Sequence, residues 1–181
     1  MKVAFILDHA LMHYRIPFFN LLQERYGHDI VVYHSGKLIK EGNVNFNQII
    51  VKNIKILGIF DYRTNVDIKS HDIIVCMQNI RLLNLWTLSV NPFRRYRVIQ
   101  WGIGTSSASG LGSQSSTIKI VRNFLMSFAD AIVFYSFFPI KYLSSSHKNK
   151  TFVALNSVEN VLKEDLSSYS KKAFIDRKSV V

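Results

Sequence analysis

An imidazole pair, a phenol and a guanidinium lie close together near the start of this 181-residue chain. His9 and His13 are four residues apart, and Tyr14 and Arg15 follow directly. Histidine can position a hydroxyl group or accept its proton, and arginine can hold a phosphate through two parallel hydrogen bonds. A plain helix entry with Arg15 in solvent fits the same residues, so both interpretations stay open. Zinc is disfavoured, because no glutamate stands between the histidines in the zinc-protease pattern.

A second candidate site is the segment 102–116, which is rich in glycine and serine. It begins with Gly102 and Gly104, and Ser106 follows. Small residues let backbone N–H groups approach an anion, and the helix predicted after them would point its positive end at that anion. A solvent loop without any ligand has the same composition. The pattern therefore predicts either an anion-binding loop or a simple connection.

A third group of residues is a candidate membrane contact. An apolar helical segment contains Trp86, and Phe93, Arg94, Arg95 and Arg97 come after it. Aromatic rings enter the lipid–water interface, and arginines meet the phosphates of anionic headgroups. A core helix followed by a basic turn would give the same pattern.

The elements that must position these residues are short runs rich in valine and isoleucine, with helix-like segments between them. The runs are apolar on both faces, which is typical of parallel strands covered by helices on both sides. Right-handed crossovers between such strands build a doubly wound sheet. We predict an α/β, Rossmann-like, mostly parallel sheet with strands near residues 2–8, 29–34, 47–51, 72–77, 97–101, 131–135 and 151–154.

This architecture predicts where the candidate residues meet. Ligands of an open α/β sheet bind outside the carboxyl ends of its strands. The segments 9–16 and 102–116 each follow a predicted strand directly. We therefore expect both at the same edge of the sheet, with His13 and Gly104 bordering one cleft.

Composition limits the class of protein. Lys and Arg total 23 against 12 Asp and Glu, a formal net charge of +11, which favours an anionic partner such as acidic lipid, a phosphorylated substrate or nucleic acid. No apolar run reaches the roughly 20 residues of a membrane-spanning helix. The apolar start of the chain is short and ends at Asp8, which favours a buried strand over a signal peptide. The single cysteine, Cys76, lies in an apolar run, which predicts a core position for it. A single cysteine also suits a protein of the reducing cytoplasm.

Several common motifs are absent from the sequence. No Gly-x-Gly-x-x-Gly follows the first strand, so an ordinary dinucleotide site is disfavoured. There is no Walker lysine loop, no Gly-x-Ser-x-Gly elbow and no Asp-x-Asp pair to hold a metal on a sugar nucleotide.

Six segments of the sequence, taken in their order and spacing, resemble those of a known protein family. The segments are residues 13–22, 72–75, 79–81, 101–104, 129–136 and 150–159. Together they resemble the N-terminal domain of bacterial glycosyltransferases of the GT-B fold, in particular the large retaining group called family four. The resemblance implies that residues 1–160 form a Rossmann-like acceptor-side domain, and that 161–181 form a helical, basic tail or the start of an interdomain linker.

The resemblance also implies what this chain lacks. The second domain of such enzymes holds the nucleotide sugar through two acidic residues eight positions apart, and this sequence contains no such pair. The C-terminal donor-binding domain is therefore expected to be absent, and the chain alone is expected to be inactive. Many relatives place a histidine that faces the donor sugar where this sequence has Ile103, so that role cannot be carried over.

The function implied by the resemblance is sugar transfer of the hexosyltransferase type. The full enzyme would move a sugar from a nucleotide diphosphate donor to a saccharide or lipid-linked acceptor in the biosynthesis of capsule, lipopolysaccharide or exopolysaccharide. It would work in the cytoplasm or on the inner face of the cytoplasmic membrane, without metal or resident cofactor. His9 and His13 are the catalytic candidates, and the expected cleft-lining residues are Tyr14, Arg15, Gly102, Gly104 and Ser106.

Two other classes of protein fit parts of the sequence. A non-enzymatic basic α/β module could bind nucleic acid or another polyanion through the arginines and aromatics at 93–97, but no recognised nucleic-acid motif is present, so a nucleic-acid partner is not expected. A receiver domain would need clustered acids at the strand ends, where Asp8 stands alone.

Overall fold

The computed structural model describes residues 1–40, 44–104 and 116–155. The strands are β1 Lys2–Ala10, β2 Asp29–Ser35, β3 Asn47–Ile50, β4 Asn53–Ile56, β5 Phe60–Arg63, β6 Ile73–Met77, β7 Arg97–Gly102, β8 Ala131–Phe134 and β9 Thr151–Val153. The helices are α1 Ile16–Tyr26, α2 Leu83–Val90, α3 Ser116–Ser127 and α4 Ser145–Lys148, and 3-10 turns cover His13–Arg15 and Phe138–Tyr142.

The main sheet confirms the predicted fold. Seven strands lie in the order β3-β2-β1-β6-β7-β8-β9, and every neighbouring pair is parallel. All seven predicted strands are present within two residues of the expected bounds. The order of the strands reverses between β1 and β6, which is the topological switch point of a doubly wound sheet and the usual place for a ligand.

The strand β1 shows why the runs are apolar on both faces. Val3, Phe5 and Leu7 belong to the hydrophobic core on one face of the sheet, whereas Ala4 and Ile6 belong to the core on the other face. Successive side chains of a strand point to opposite faces, so a strand covered on both sides must be apolar throughout. Cys76 in β6 is fully buried as predicted, and this burial raises the pKa of its thiol.

The helix α1 begins and ends where its sequence predicts. Pro17 lies in the first turn, where a missing N–H costs nothing. Gly27 ends the helix with φ +61°, and its N–H donates to the carbonyl of Gln23. The helix therefore starts at a fixed point after β1 and fixes the 3-10 turn that carries Arg15.

The strands β4 and β5 were not predicted. The strands β4 and β5 form an antiparallel hairpin whose turn contains Leu57 and Gly58, with φ +54° and +71°. Two consecutive positive φ values in a hairpin turn normally call for asparagine or glycine, so Leu57 hides the hairpin signal. The backbone N–H and carbonyl of Arg63, at the end of β5, form hydrogen bonds with the side-chain amide of Asn84, which ties the hairpin to α2.

Among the helices of the described residues, none is both long enough and apolar enough to cross a membrane.

Candidate functional site

A cleft of about 480 Å³ opens at the carboxyl edge of the sheet, beside the switch point. His9, Arg15 and Gly102, which come from both predicted loops, line it together. His13 does not line it, because its side chain is exposed on the 3-10 turn. Tyr14 is half exposed and borders a smaller adjoining pocket with Arg15. Ser106 and the rest of segment 105–115 lie outside the described residues.

The switch point is bridged by Asp8 and Asn79. Asp8 comes from β1, Asn79 follows β6, and the Asn79 Nδ2 donates to Asp8 Oδ2 at 2.9 Å. The other carboxylate oxygen, Oδ1, is buried and has no hydrogen-bond partner among the described residues. It lies 3.7 Å from His9 Nε2. A carboxylate and an imidazole that both line the cleft thus lie side by side.

The hydrogen bond of His9 assigns a role to each ring nitrogen. Nδ1 lies 2.7 Å from the carbonyl oxygen of Ala10, so this nitrogen carries the hydrogen and donates it. In that tautomer Nε2 has a free electron pair and can accept a proton. His9 therefore has the geometry of a general base, which His13 on its exposed turn lacks.

Arg15 is buried, so the interpretation that places it in solvent is wrong. Only 7% of the residue is exposed. Its Nη2 donates to the hydroxyl of Tyr135 at 3.0 Å, and its guanidinium carbon lies 4.9 Å from the centre of the Trp101 ring. An arginine stacked on aromatic rings keeps part of its electrostatic stabilisation after it leaves water. The cation is held in place by rings rather than by an acid.

An aromatic cluster fixes Arg15 in this position. Phe5 of β1 and Phe18 and Phe19 of α1 pack edge to face, and Trp101 of β7 contacts Phe5 and Phe18 with ring centres 5.9 and 5.5 Å apart. Such pairs add to the stabilisation that burial already provides. The cluster joins α1 to the sheet directly below the cleft.

The glycines at the end of β7 have a packing role. A Cβ on Gly102 would lie 2.8 Å from the Cβ of Gln78, and a Cβ on Gly104 would meet Pro139 and Phe134. Gly104 also has φ +74°, which a side chain rarely adopts. Close approach of neighbouring chain segments therefore accounts for both glycines, and the anion-binding interpretation of the loop stays a prediction.

Sequence reasoning missed several polar residues of the cleft. Gln78 and Arg81 follow β6, and Arg122 projects from α3. Both amide atoms of Gln78 are buried without a hydrogen-bond partner among the described residues, and Nη1 of Arg122 donates to the carbonyl of Gly104 at 3.0 Å. Burial lowers the pKa of the Arg122 guanidinium. Gln78 and Arg81 come shortly after a predicted strand, as His9 does. The same positional signal could therefore have identified them.

Four of the five residues predicted to contact a membrane lie at the opposite edge of the sheet: Phe93, Arg94, Arg95 and Arg97. Arg97 begins β7 and Gly102 ends it, so the two edges are roughly 16 Å apart at about 3.3 Å per residue. Phe93 is 89% exposed, and Arg95 and Arg97 are exposed. Arg94, in contrast, forms an ion pair with Asp130 at 2.6 Å.

Trp86 is separated from this exposed group. It is half-buried against the core, and its indole N–H donates to the carbonyl of Ile80 at 2.9 Å. A groove of about 650 Å³ beside the exposed residues is lined by Lys69, His71, Tyr62, Tyr96 and residues 93–95, among others. Phe93, Arg94, Arg95 and Arg97 together form the amino-edge patch.

Among residues 1–40, 44–104 and 116–155, no three His, Cys, Asp or Glu side chains are grouped closely enough to hold a metal ion.

Comparisons with known proteins add no assignment. No model of a known protein family and no curated protein matches this chain.

Proposed function

We propose that this chain is the acceptor-binding domain of a glycosyltransferase that moves a sugar from a nucleotide diphosphate donor to a saccharide or lipid-linked acceptor. The observation that carries the proposal is the polar cleft at the switch point, where Asp8, His9, Gln78 and Asn79 surround space for a small polar ligand. Saccharides bind through many directional hydrogen bonds, and Asp8, Gln78 and Asn79 line the cleft with the carboxylate and amide side chains that bind hydroxyl groups.

His9 and its neighbours have distinct roles in this proposal. The acceptor hydroxyl lies beside His9, and its oxygen forms the new bond to the anomeric carbon of the donor sugar. The electron pair of the broken bond leaves with the nucleoside diphosphate, and Nε2 of His9 accepts the hydroxyl proton. Asp8 stabilises the resulting imidazolium from 3.7 Å. Catalysis depends mainly on positioning and on stabilisation of the departing diphosphate, which we assign to a second, donor-binding domain.

The first test concerns this division of labour. We expect the 181-residue chain alone to bind nucleotide diphosphate sugars with a Kd of about 1 mM or weaker, equivalent to about 4 kcal/mol. Its cleft offers one wall of a site, and immobilising a ligand costs several kcal/mol that few contacts can offset. Calorimetry or ligand-observed NMR with a panel of donors measures this affinity. Micromolar binding of any donor would place a donor site in this chain and contradict the division.

A second test concerns peripheral membrane binding, which we assign to the amino-edge patch. Replacing Arg94, Arg95 and Arg97 with glutamine should weaken binding to vesicles that contain anionic lipid by tenfold or more, since each basic residue near such a surface contributes about 1 kcal/mol. Most of this loss should come from Arg95 and Arg97, because Asp130 already neutralises Arg94. Vesicle sedimentation at rising salt concentration measures the effect.

The matched control for the vesicle experiment removes the same charge elsewhere. Lys37, Lys40 and Lys52 are exposed outside the patch, and their replacement by glutamine should change vesicle binding much less. Equal losses in the two triple variants would show that net charge alone drives the binding, and the amino-edge patch would have no special role.

A further inference from the structure

Among the residues that the structure describes, three arginines and one carboxylate line the same cleft. Arg15 precedes α1, Arg81 follows β6 and Arg122 lies on α3, and the carboxylate belongs to Asp8. These residues come from separate segments of the chain, so the excess of positive charge is produced by the fold. A cleft with such an excess attracts anions more strongly than an exposed surface does, because its low-dielectric walls focus the field.

Arg15 is the most informative of the three. It is more than nine-tenths buried, and the ion pairs among the described residues are His9–Asp8, Lys55–Asp61 and Arg94–Asp130, none of which includes it. In the described part of the chain its Nη1 has only the sulfur of Met77 as a partner, at 4.0 Å. A buried cation without a counter-ion is costly, and the stacking on Trp101 offsets only part of the cost. The missing counter-ion is therefore expected to arrive with a ligand.

Tyr135 adds a neutral donor beside Arg15. Its hydroxyl oxygen accepts the hydrogen bond from Arg15, so its own hydrogen can be donated to a ligand. Burial raises the pKa of Tyr135, so the phenol keeps this hydrogen at neutral pH. Arg15 and Tyr135 together offer two adjacent donors, which is the arrangement that a carboxylate or a phosphate accepts.

Asp8 does not occupy the same part of the cleft. It is held by Asn79 at the junction of β1 and β6, whereas Arg15 contacts Trp101 of β7 and Tyr135 just after β8. An anion beside Arg15 and Tyr135 therefore lies on the β7–β8 side of the cleft. The hydroxyl that reacts beside His9 lies on the β1 side.

We propose that the cleft binds an acidic saccharide. Arg15 and Tyr135 hold the carboxylate or phosphate of the sugar while a hydroxyl lies at His9, and Arg81 adds positive charge from elsewhere in the same cleft. This inference rests on the proposed function and names the chemical class of its acceptor. The shared chemistry is a sugar with a negative charge, from either a uronic acid or a sugar phosphate.

The test compares three probes on the full chain labelled with ¹⁵N. The probes are methyl glucuronide for the carboxylate, glucose 6-phosphate for the phosphate and methyl glucoside as the neutral sugar. We expect at least one charged probe to bind five times more tightly than methyl glucoside, with amide shifts at residues 15, 81 and 135. The stronger of the two charged probes identifies the source of the charge. Equal affinity for all three would overturn the inference and leave the proposed function standing.

Variants then assign the effect to the cleft. Arg81→Gln changes an exposed side chain and should fold normally. It should nevertheless lower the affinity for the charged probe threefold or more and leave the affinity for methyl glucoside unchanged. Arg15→Met keeps the length and apolar contacts of the side chain and should remove the preference for charge altogether. Arg95→Gln at the amino edge removes the same charge and should have no effect. An unchanged preference in Arg81→Gln and in a folded Arg15→Met would overturn the inference.

Inorganic phosphate and uridine diphosphate complete the design. Inorganic phosphate that binds as tightly as glucose 6-phosphate would show that no sugar is recognised with the charge, and would overturn the inference. Micromolar binding of uridine diphosphate with shifts at the same residues would instead assign the arginines to a donor and overturn the proposed function.

Discussion

Replacing Phe19 with alanine is expected to lower the free energy of unfolding by about 3–5 kcal/mol. Phe19 is fully buried, and its ring centre lies 4.8 Å from that of Phe5 and 5.2 Å from that of Phe46. The variant loses the burial of a large ring, three aromatic contacts and the close packing of α1 on the sheet. Urea unfolding followed by circular dichroism measures the change, and Phe19→Leu should show a smaller loss if the alanine variant does not fold.

The control for this experiment is the same substitution on the surface. Phe93 is 89% exposed, so Phe93→Ala should change the stability by less than about 0.5 kcal/mol. A loss below about 1 kcal/mol for Phe19→Ala would mean that α1 is not anchored by this cluster. The position of Arg15 above it would then lack the support described for the cleft.

Replacing Asn84 with alanine is expected to cost about 2–4 kcal/mol of stability, because two buried backbone groups lose their partners. The Asn84 Oδ1 accepts from the N–H of Arg63 at 2.7 Å, and its Nδ2 donates to the carbonyl of the same residue at 3.0 Å. Arg63 is buried as well, and its Nη2 donates to the carbonyl of Asp8 at 2.5 Å. Loss of Asn84 should therefore also loosen the end of β1.

Asn53→Ala serves as the matched control for Asn84→Ala. Asn53 lies on the hairpin that Asn84 contacts, but its hydrogen bond to Asp61 is exposed, so its removal should cost about 1 kcal/mol or less. Thermal unfolding of the two variants gives the comparison. Equal losses, or a change below about 0.5 kcal/mol for Asn84→Ala, would contradict the bridging role of this amide.

The sequence was sufficient to predict the sheet because the relevant signals are local. Runs such as residues 73–77 are apolar on both faces, and only a strand between two helical layers requires that. Pro17 and Gly27 mark the ends of α1 by the geometry of their own backbones. The hairpin β4–β5 escaped prediction because Leu57 occupies a turn position where sequence rules expect asparagine or glycine.

The candidate site was only partly predictable for a different reason. The rule that ligands bind at the carboxyl ends of strands gave His9 and Gly102. Arg122 lies on the face of a helix, and only the fold brings it to the same cleft. The burial of Arg15 depends on Trp101 and Tyr135, which are distant in sequence, so a local pattern could not distinguish a buried arginine from a solvated one.

The position of the amino-edge patch has a consequence for the proposed enzyme. If that patch faces a membrane, the cleft opens roughly 16 Å farther from the lipid surface, at about 3.3 Å for each residue of β7. A lipid-linked acceptor would then have to extend past its headgroup to reach His9. A saccharide chain provides that reach, whereas a sugar attached directly to the lipid does not.

The most direct measurement for the central claim is a map of amide shifts in the ¹⁵N-labelled chain during titration with a panel of bacterial surface-polysaccharide fragments. Our account predicts that at least one fragment binds with millimolar affinity or better, and that the shifts cluster at His9, Gln78, Asn79 and Gly102. The Asn79→Ala variant should bind that fragment more weakly, because the carboxylate of Asp8 loses its hydrogen bond from Asn79. Shifts confined to the amino-edge patch, or no binding by any fragment, would contradict the claim that this cleft receives a saccharide.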